Sequence, residues 1–299
     1  MTDHTLHILA ATSGTVVTSN ADEMIASYRE GLDMLVISDG MVSSSLALAW
    51  GKPSLTGLRF VVLGANRTDP STHWLRVIEH PTVVRPDPMK QRGWLALEVL
   101  VQDVHGLAHR LRNSHFSILG EPRPLAVSNC IVAMQVAGPA GETLYLTEVR
   151  GAVPPFRLPS PATHVAERLF IPVLSTPDRD IAMNFYERLN GNTGLRFETR
   201  VSALNSTLNI DLEQLRPVGT LQLAKTSLIE IDQVPEHSTA TPQLDGLPGG
   251  LAMVSFAVAP DLQLPAGVHW RSHSNMDWSG QSVCLLEGTA GEWTELVTD

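Results

Sequence analysis

Cysteine is nearly absent from this chain, with two residues in 299, Cys130 and Cys284. Each lies in an apolar, strand-like run, one per half, which argues against a disulfide framework, a CxxC metal site or a thiol nucleophile and leaves buried, reduced thiols as the expectation. Aromatic residues make up only 5% and charged residues 17%, and 21 Lys and Arg are outnumbered by 31 Asp and Glu, for a formal net charge of −10. There is no Lys/Arg run and no interleaving of basic with aromatic residues, so the clustered phosphate contacts that nucleic acid demands are missing. No stretch approaches the ~18 uninterrupted apolar residues of a membrane span, and the N-terminus carries no basic segment followed by an apolar one. The expected setting is the cytoplasm, with no membrane and no nucleic-acid partner.

What the chain does contain is a duplication. Val42-Ser43-Ser44-Ser45-Leu46 returns as Val201-Ser202-Ala203-Leu204-Asn205, and Tyr28 returns as Tyr186. Pro81 and Pro235 each follow an apolar run, Asp103 and Asp261 each end one, and Ala140-Gly141-Glu142 recurs unchanged as Ala290-Gly291-Glu292. The offsets stay between 150 and 159 residues, so each half reads as a copy of one architecture. At 43% hydrophobic content each half can bury a core of its own. Between them, Gly151 to Pro161 carries four prolines, which fix φ and remove backbone donors, and this marks a linker. The division expected is a first domain over 1–150 (units 1–90 and 91–150), a linker over 151–165, and a second domain over 166–299 (units 166–245 and 246–299).

Each unit shows the same order of elements. In the first, Leu6 to Ala11 and Gly14 to Thr18 read as extended, a helix runs from Ala21 to Gly31 behind an Asn20 N-cap, and strands follow at Asp33 to Ser38, Leu58 to Leu63 and Trp74 to Ile78. The second repeats this with Trp94 to Val101, a helix from Val104 to Arg112, then Phe116 to Leu119, Cys130 to Val136 and Thr143 to Val149. The third does so with Leu169 to Leu174, a helix from Asp178 to Leu189, then Leu195 to Val201, Thr220 to Leu223 and Leu228 to Asp232. In the fourth, Met253 to Val258 is followed by Pro265 where a helix belongs, so a loop is expected there, with strands near Val268 to His273, Ser282 to Leu286 and Trp293 to Val297.

Four βαβββ units resemble the vicinal oxygen chelate superfamily, which includes glyoxalase I, extradiol dioxygenases and bleomycin-resistance proteins. The helix ends Ala26-Ser27-Tyr28-Arg29-Glu30-Gly31-Leu32 and Asn184-Phe185-Tyr186-Glu187-Arg188-Leu189 are similar to its FYxxxLG signature. The turns Gly138-Pro139-Ala140-Gly141-Glu142 and Gly288-Thr289-Ala290-Gly291-Glu292 are similar to its DPxGN turn. The resemblance covers nearly the whole chain. It implies an α+β fold of two tandem domains, each a pair of βαβββ units curled into an incomplete barrel with the active site on the inner face.

Metal-using members of the superfamily place His, Gln or Glu on the first and last strands of the paired units. Counting from Tyr28, the corresponding positions here are Ser13, Arg76, Ala96 and Tyr145 in the first domain, and Ile171, Glu230, Val254 and Glu295 in the second. His7 takes the opening position if the first strand is Leu6 to Thr12. Two carboxylates without histidine make a poor site for Fe, Zn or Ni, so the expectation is no metal and no cofactor, with a weakly held Mg or Ca, or a misregistered metal site, as the alternative.

The candidate catalytic residues are Arg76, Tyr145 and His7. Arg76 places a guanidinium in an otherwise apolar strand, where it can hold a substrate carboxylate or enolate, and Tyr145 can donate to a developing oxyanion. The opposing reading turns Arg76 outward onto an acid, packs Tyr145 in the sheet and leaves His7 as an N-terminal strand residue. Ser13, Trp50, Trp74 and Trp94 are candidates for substrate binding, the tryptophans equally as core or rim residues. The serines at 43–45, 202 and 206 either cap a short helix or touch ligand, and His105, His109 and His115 read as a solvated face. The chain is expected to act on, or bind, a small oxygenated, partly aromatic or apolar molecule. It does so as a metal-independent lyase, isomerase or hydrolase, as a binding or resistance protein, or as a metal-dependent glyoxalase or dioxygenase, with a homodimer left open. The first domain is the one expected to work.

Overall fold

The computed structural model describes residues 6–125, 128–237, 243–244, 246–273 and 281–298. The first unit runs β1 (Ile8–Thr18), α1 (Ala21–Leu32), β2 (Leu35–Met41), α2 (Ser44–Ala49), β3 (Arg59–Gly64) and β4 (Leu75–Glu79); the second runs β5 (Gly93–Val101), α3 (Val104–Leu111), β6 (Ser117–Leu125), β7 (Ser128–Ala137) and β8 (Thr143–Val149). The third runs β9 (Ala166–Thr176), α4 (Arg179–Asn190), β10 (Leu195–Thr199), α5 (Ser202–Thr207), β11 (Arg216–Gln222) and β12 (Leu228–Gln233). A short pair, β13 (Gln243–Leu244) and β14 (Leu247–Pro248), leads into the fourth, with β15 (Gly250–Val258), β16 (Arg271–Ser272), β17 (Ser282–Glu287) and β18 (Trp293–Thr298). Among the described residues no helix crosses over in the fourth unit, as Pro265 required.

The crossover helices start where side chains replace missing backbone acceptors. Asn20 accepts from Glu23 N at 3.1 Å, Asp103 from Gly106 N at 2.9 Å, and Asp178 from Asp180 N and Ile181 N, both at 3.0 Å. The opening strands β5 and β15 are buried at every position, so they are apolar on both faces instead of alternating, save for Glu98 on β5 and Ser255 on β15.

The four units pair differently from the expected division. One eight-stranded sheet has the order β16-β17-β18-β15-β1-β4-β3-β2, and the other β10-β11-β12-β9-β5-β8-β7-β6. The first unit therefore shares a sheet with the fourth, through antiparallel β1 and β15, and the second shares one with the third, through β5 and β9. Each sheet crosses the Pro-rich linker, and the boundary at 150 separates units but not sheets. Within each unit the order is the expected one, with the last strand beside the first and parallel to it.

The largest core cluster joins both sheets to the helices, with Val77, Leu97, Ile231 and Phe256 against Met24, Tyr28, Leu107 and Tyr186. A Cβ on Gly14 of β1 would meet the Leu97 side chain of β5, so a larger residue there would have to displace that leucine. The repeated Tyr and Glu motifs prove to be partners. Tyr28 Oη donates to Glu142 Oε1 at 2.7 Å, and Tyr186 Oη to Glu292 Oε1 at 2.8 Å, each bond linking a helix of one sheet's units to a turn of the other's. Each carboxylate also accepts from the backbone N–H of its own turn, at Ala140 and Ala290. No described helix is long and apolar enough to cross a membrane.

Candidate active site

The inner face shared by the first and fourth units is filled. Arg76 on β4 and Glu295 on β18 are each 1% exposed and lie 2.7 Å apart, Nη2 to Oε2. Arg76 Nε donates to Thr15 Oγ1 at 2.9 Å, and Nη2 also bonds Ser255 Oγ. Ser255 Oγ in turn donates to Glu295 Oε2 at 2.5 Å, and Trp50 Nε1 to Glu295 Oε1 at 2.5 Å. Burial pushes the Glu295 carboxyl up, but the Arg76 charge and these donors outweigh it and hold Glu295 below its usual range. Trp50, Leu46, Phe60, Val62, Ile78 and Met253 pack the rest of this space.

The inner face shared by the second and third units is open. It encloses a cavity of about 560 Å³ whose wall includes Leu119, Ile131, Phe170, Phe197 and Leu228, with Ser202, Ala203 and Ser206 contributed by α5. Its ionisable lining on the central strands is Glu98 on β5, Tyr145 on β8 and Glu230 on β12, with Gln135 and Thr220 beside them. Glu98 pairs with Tyr145 across the β5–β8 ladder and Tyr145 with Gln135 across β7–β8, so these side chains form a row. Thr147 Oγ1 donates to Glu98 Oε1 at 2.7 Å. The Tyr145 hydroxyl has no partner, although the residue is 5% exposed.

Burial, then the neighbouring Glu230 charge, pushes Glu98 up to about 8, and burial pushes Glu230 up to about 7. Tyr145 is raised well above its ordinary value by burial and by the charges of Asp232, Glu230 and Glu98, so it stays a donor. Asp232 is fully buried two residues from Glu230 on the same face of β12. Burial first, and then the neighbouring Glu230, raises it well above the usual carboxylate range.

Arg76 and Tyr145 therefore do not share a cup, and neither do Glu230 and Glu295, because the units pair first with fourth and second with third. Arg76 does pair with an acid, but inside the sheet. His7 precedes β1, its Nδ1 3.8 Å from Asp261, and is not part of the cavity wall. Ser13 is buried on β1 opposite Ser255. Trp50 belongs to the filled cup. Trp74 packs on Tyr28 with ring centroids 6.1 Å apart, and Trp94 lies 6.1 Å from Tyr186 and 5.9 Å from Phe256, so both are core residues. Of the candidate catalytic and binding residues, only Tyr145 lines the cavity.

Ser43 caps α2, accepting from Leu46 N at 3.1 Å, whereas Ser202 and Ser206 line the cavity. His105, His109 and His115 are exposed. Cys284 is buried, Cys130 is half-buried, and both are free thiols.

Glu98 escaped the sequence reading. The count along the family strands lands on Ala96, which lies on the same face two residues earlier, while β-bulges shift the register on both sides of Glu98. A signal was present nonetheless: Glu98 is the one ionisable side chain in the nine-residue strand Gly93–Val101.

No family model matches the chain, and no curated protein does. Solved structures match over nearly its whole length. Glyoxalase I from Zea mays aligns over 97% of this chain and 92% of its own, with 15% identity and a TM-score of 0.59. A candidate dioxygenase from Bacillus subtilis aligns over 98% of this chain and 86% of its own, with 12% identity and a TM-score of 0.63. The chain has the vicinal oxygen chelate fold. At such identities the likeness extends to architecture and not to activity.

Metal ions are a common feature of proteins with the vicinal oxygen chelate fold, and the donors here do not fit one. In the filled cup the ligand positions hold a serine, a guanidinium, a valine and a carboxylate already bonded to that guanidinium. In the open cup they hold Ala96, Tyr145, Ile171 and Glu230. Among the described residues no group of three or more His, Cys, Asp or Glu could hold a metal, whereas Fe, Zn or Ni takes at least three such donors.

Proposed function

We propose that this protein is a metal-independent lyase, isomerase or hydrolase of the vicinal oxygen chelate fold, moving a proton on a small oxygenated, partly aromatic or apolar metabolite bound between the second and third units. The observation that carries this reading is that Glu98, Tyr145 and Glu230 together line one cavity of about 560 Å³, with the Tyr145 hydroxyl unpartnered.

Glu98 is the proton-transferring group. Thr147 orients one of its oxygens, and burial together with Glu230 holds its proton affinity near the operating pH, where a carboxyl can both accept and deliver. Tyr145 donates to the substrate oxygen that gains charge as the proton leaves carbon. The apolar part of the wall lowers the local dielectric and strengthens both interactions. Arg76 takes no part.

The test uses ligands found by thermal-shift screening, incubated with the protein in deuterated water and followed by proton NMR. Wild type is expected to exchange a C–H beside a carbonyl, and Glu98→Gln to slow that exchange by about 10²–10⁴-fold at saturating ligand. Stoichiometric binding with no exchange and no turnover would make the protein a sequestering one instead.

A further inference from the structure

We infer that the substrate carries a protonated amine on an aromatic or apolar body, with its ammonium seated against Glu230 and Glu98 on the cavity floor. This deepens the proposed function and rests on the same cavity being the ligand site.

The internal duplication supplies the argument. Arg76 on β4 and Glu230 on β12 occupy equivalent last strands of the first and third units, as do Glu295 on β18 and Tyr145 on β8 in the fourth and second. In the filled cup, a buried carboxylate meets a buried cation supplied by the chain itself, at 2.7 Å. In the open cup the arginine position is Glu230, and Glu98 and Asp232 add two more buried carboxyls with no cation among them. Arg216, whose charge reaches Asp232, is bonded to Asn205 at 2.7 Å and to Glu236 at 3.1 Å. At the rim, Arg200 pairs with Glu213 and Glu121 with Arg112, leaving exposed Arg123 on β6.

The floor therefore gathers carboxyl groups with no opposing cation, Glu98 and Glu230 on its surface and Asp232 behind Glu230, and leaves the hydroxyl of buried Tyr145, which lines the cavity, unmatched. Buried charge of one sign is costly until an opposite charge arrives, and a ligand ammonium is the group that Arg76 replaces in the other cup. An anion would meet repulsion there. Phe170, Phe197, Leu119 and Ile131 offer the wall for its body.

Binding also has a chemical consequence. A positive charge beside Glu98 lowers that group's hold on its proton, so the substrate itself converts Glu98 from an acid into a base. Amine affinity accordingly rises with pH as the floor ionises. The groups that face the ammonium are Glu98 from β5, Tyr145 from β8 and Glu230 from β12, with Asp232 buried behind Glu230 and Arg123, Arg200, Glu121 and Glu213 at the rim.

The test is calorimetric titration with phenethylamine, its neutral counterpart phenethyl alcohol, and the anion phenylacetate, in chelator-containing buffer, against wild type, Glu230→Gln and Thr199→Trp. At about pH 8 the amine is expected to bind roughly tenfold or more tighter than the alcohol, as a charged hydrogen bond implies, with phenylacetate weakest. That advantage should shrink at about pH 6, where the floor carboxyls are protonated. Glu230→Gln should bring the amine down to the affinity that the alcohol has for the same variant.

Equal affinities, preference for phenylacetate, an amine preference that survives Glu230→Gln, or no binding by any probe would overturn the inference. Thr199→Trp, at a partly exposed position in the wall, separates the two levels of the argument. If it abolishes alcohol binding while the amine has no advantage, the cavity stands as the site and only the amine falls. If the probes bind and it changes nothing, the cavity reading falls as well.

Discussion

Arg76 and Glu295 stand 219 residues apart in the chain and 2.7 Å apart in the fold, each 1% exposed. Their contact closes one cup of a two-cup molecule.

Removing one partner leaves the other buried and unpaired. Arg76→Met is expected to cost about 3–5 kcal/mol of stability, with ligand binding at the open cup retained by the folded fraction. Arg76→Met combined with Glu295→Leu should recover much of the loss. Urea unfolding and calorimetry on the same samples check both statements, and a loss of binding without a loss of stability would contradict them.

The tyrosine links should hold the two sheets' units together. Tyr28→Phe and Tyr186→Phe each remove the donor to a buried carboxyl, at 2.7 and 2.8 Å, while leaving the ring packing intact. A loss of about 1–3 kcal/mol each is expected from guanidinium unfolding, because Glu142 and Glu292 lose a partner they cannot replace.

Stability should fall as pH rises. Burial first, and the Glu230 charge after it, raises Glu98 from 4.5 to about 8, and burial raises Glu142 from 4.5 to about 7. The folded state therefore binds these protons more tightly than the unfolded chain. Their contribution is fully present below about pH 4.5 and is lost as pH climbs through about 7 and 8, at up to ~1.4 kcal/mol per pH unit per group. Glu295 acts oppositely, its lowered value protecting the fold until acid protonates it. Urea midpoints between about pH 5 and 8 should decline in wild type, and more gently in Glu98→Gln.

Metal should be dispensable. Protein purified without added metal is expected to hold well under one equivalent of Fe, Mn, Zn or Ni, as the donors at Ala96, Ile171 and Val254 are hydrocarbon. Elemental analysis and activity before and after a chelator wash provide the check. Stoichiometric metal lost together with activity would restore a dioxygenase or glyoxalase reading.

Much of this architecture was legible in the chain. The strands and helices follow from apolar periodicity, the first helix's cap from Asn20, the missing fourth crossover helix from Pro265, and the four units from repeated Tyr28 and Tyr186 and the twin Ala-Gly-Glu turns. These are local signals, set by dihedral preference, by capping and by the spacing of buried faces, and they need no knowledge of distant neighbours. Which units share a sheet is a different kind of question. β1, β5, β9 and β15 are all largely buried and apolar, and the ladders joining them are backbone hydrogen bonds, which carry no side-chain identity. Pairing first with second or first with fourth therefore looks alike along the chain. Only the three-dimensional path of β15 back to β1 and of β9 to β5 decided it, and with it that Arg76 would meet Glu295, that Tyr145 would meet Glu98 and Glu230, and which of the two cups would stay open.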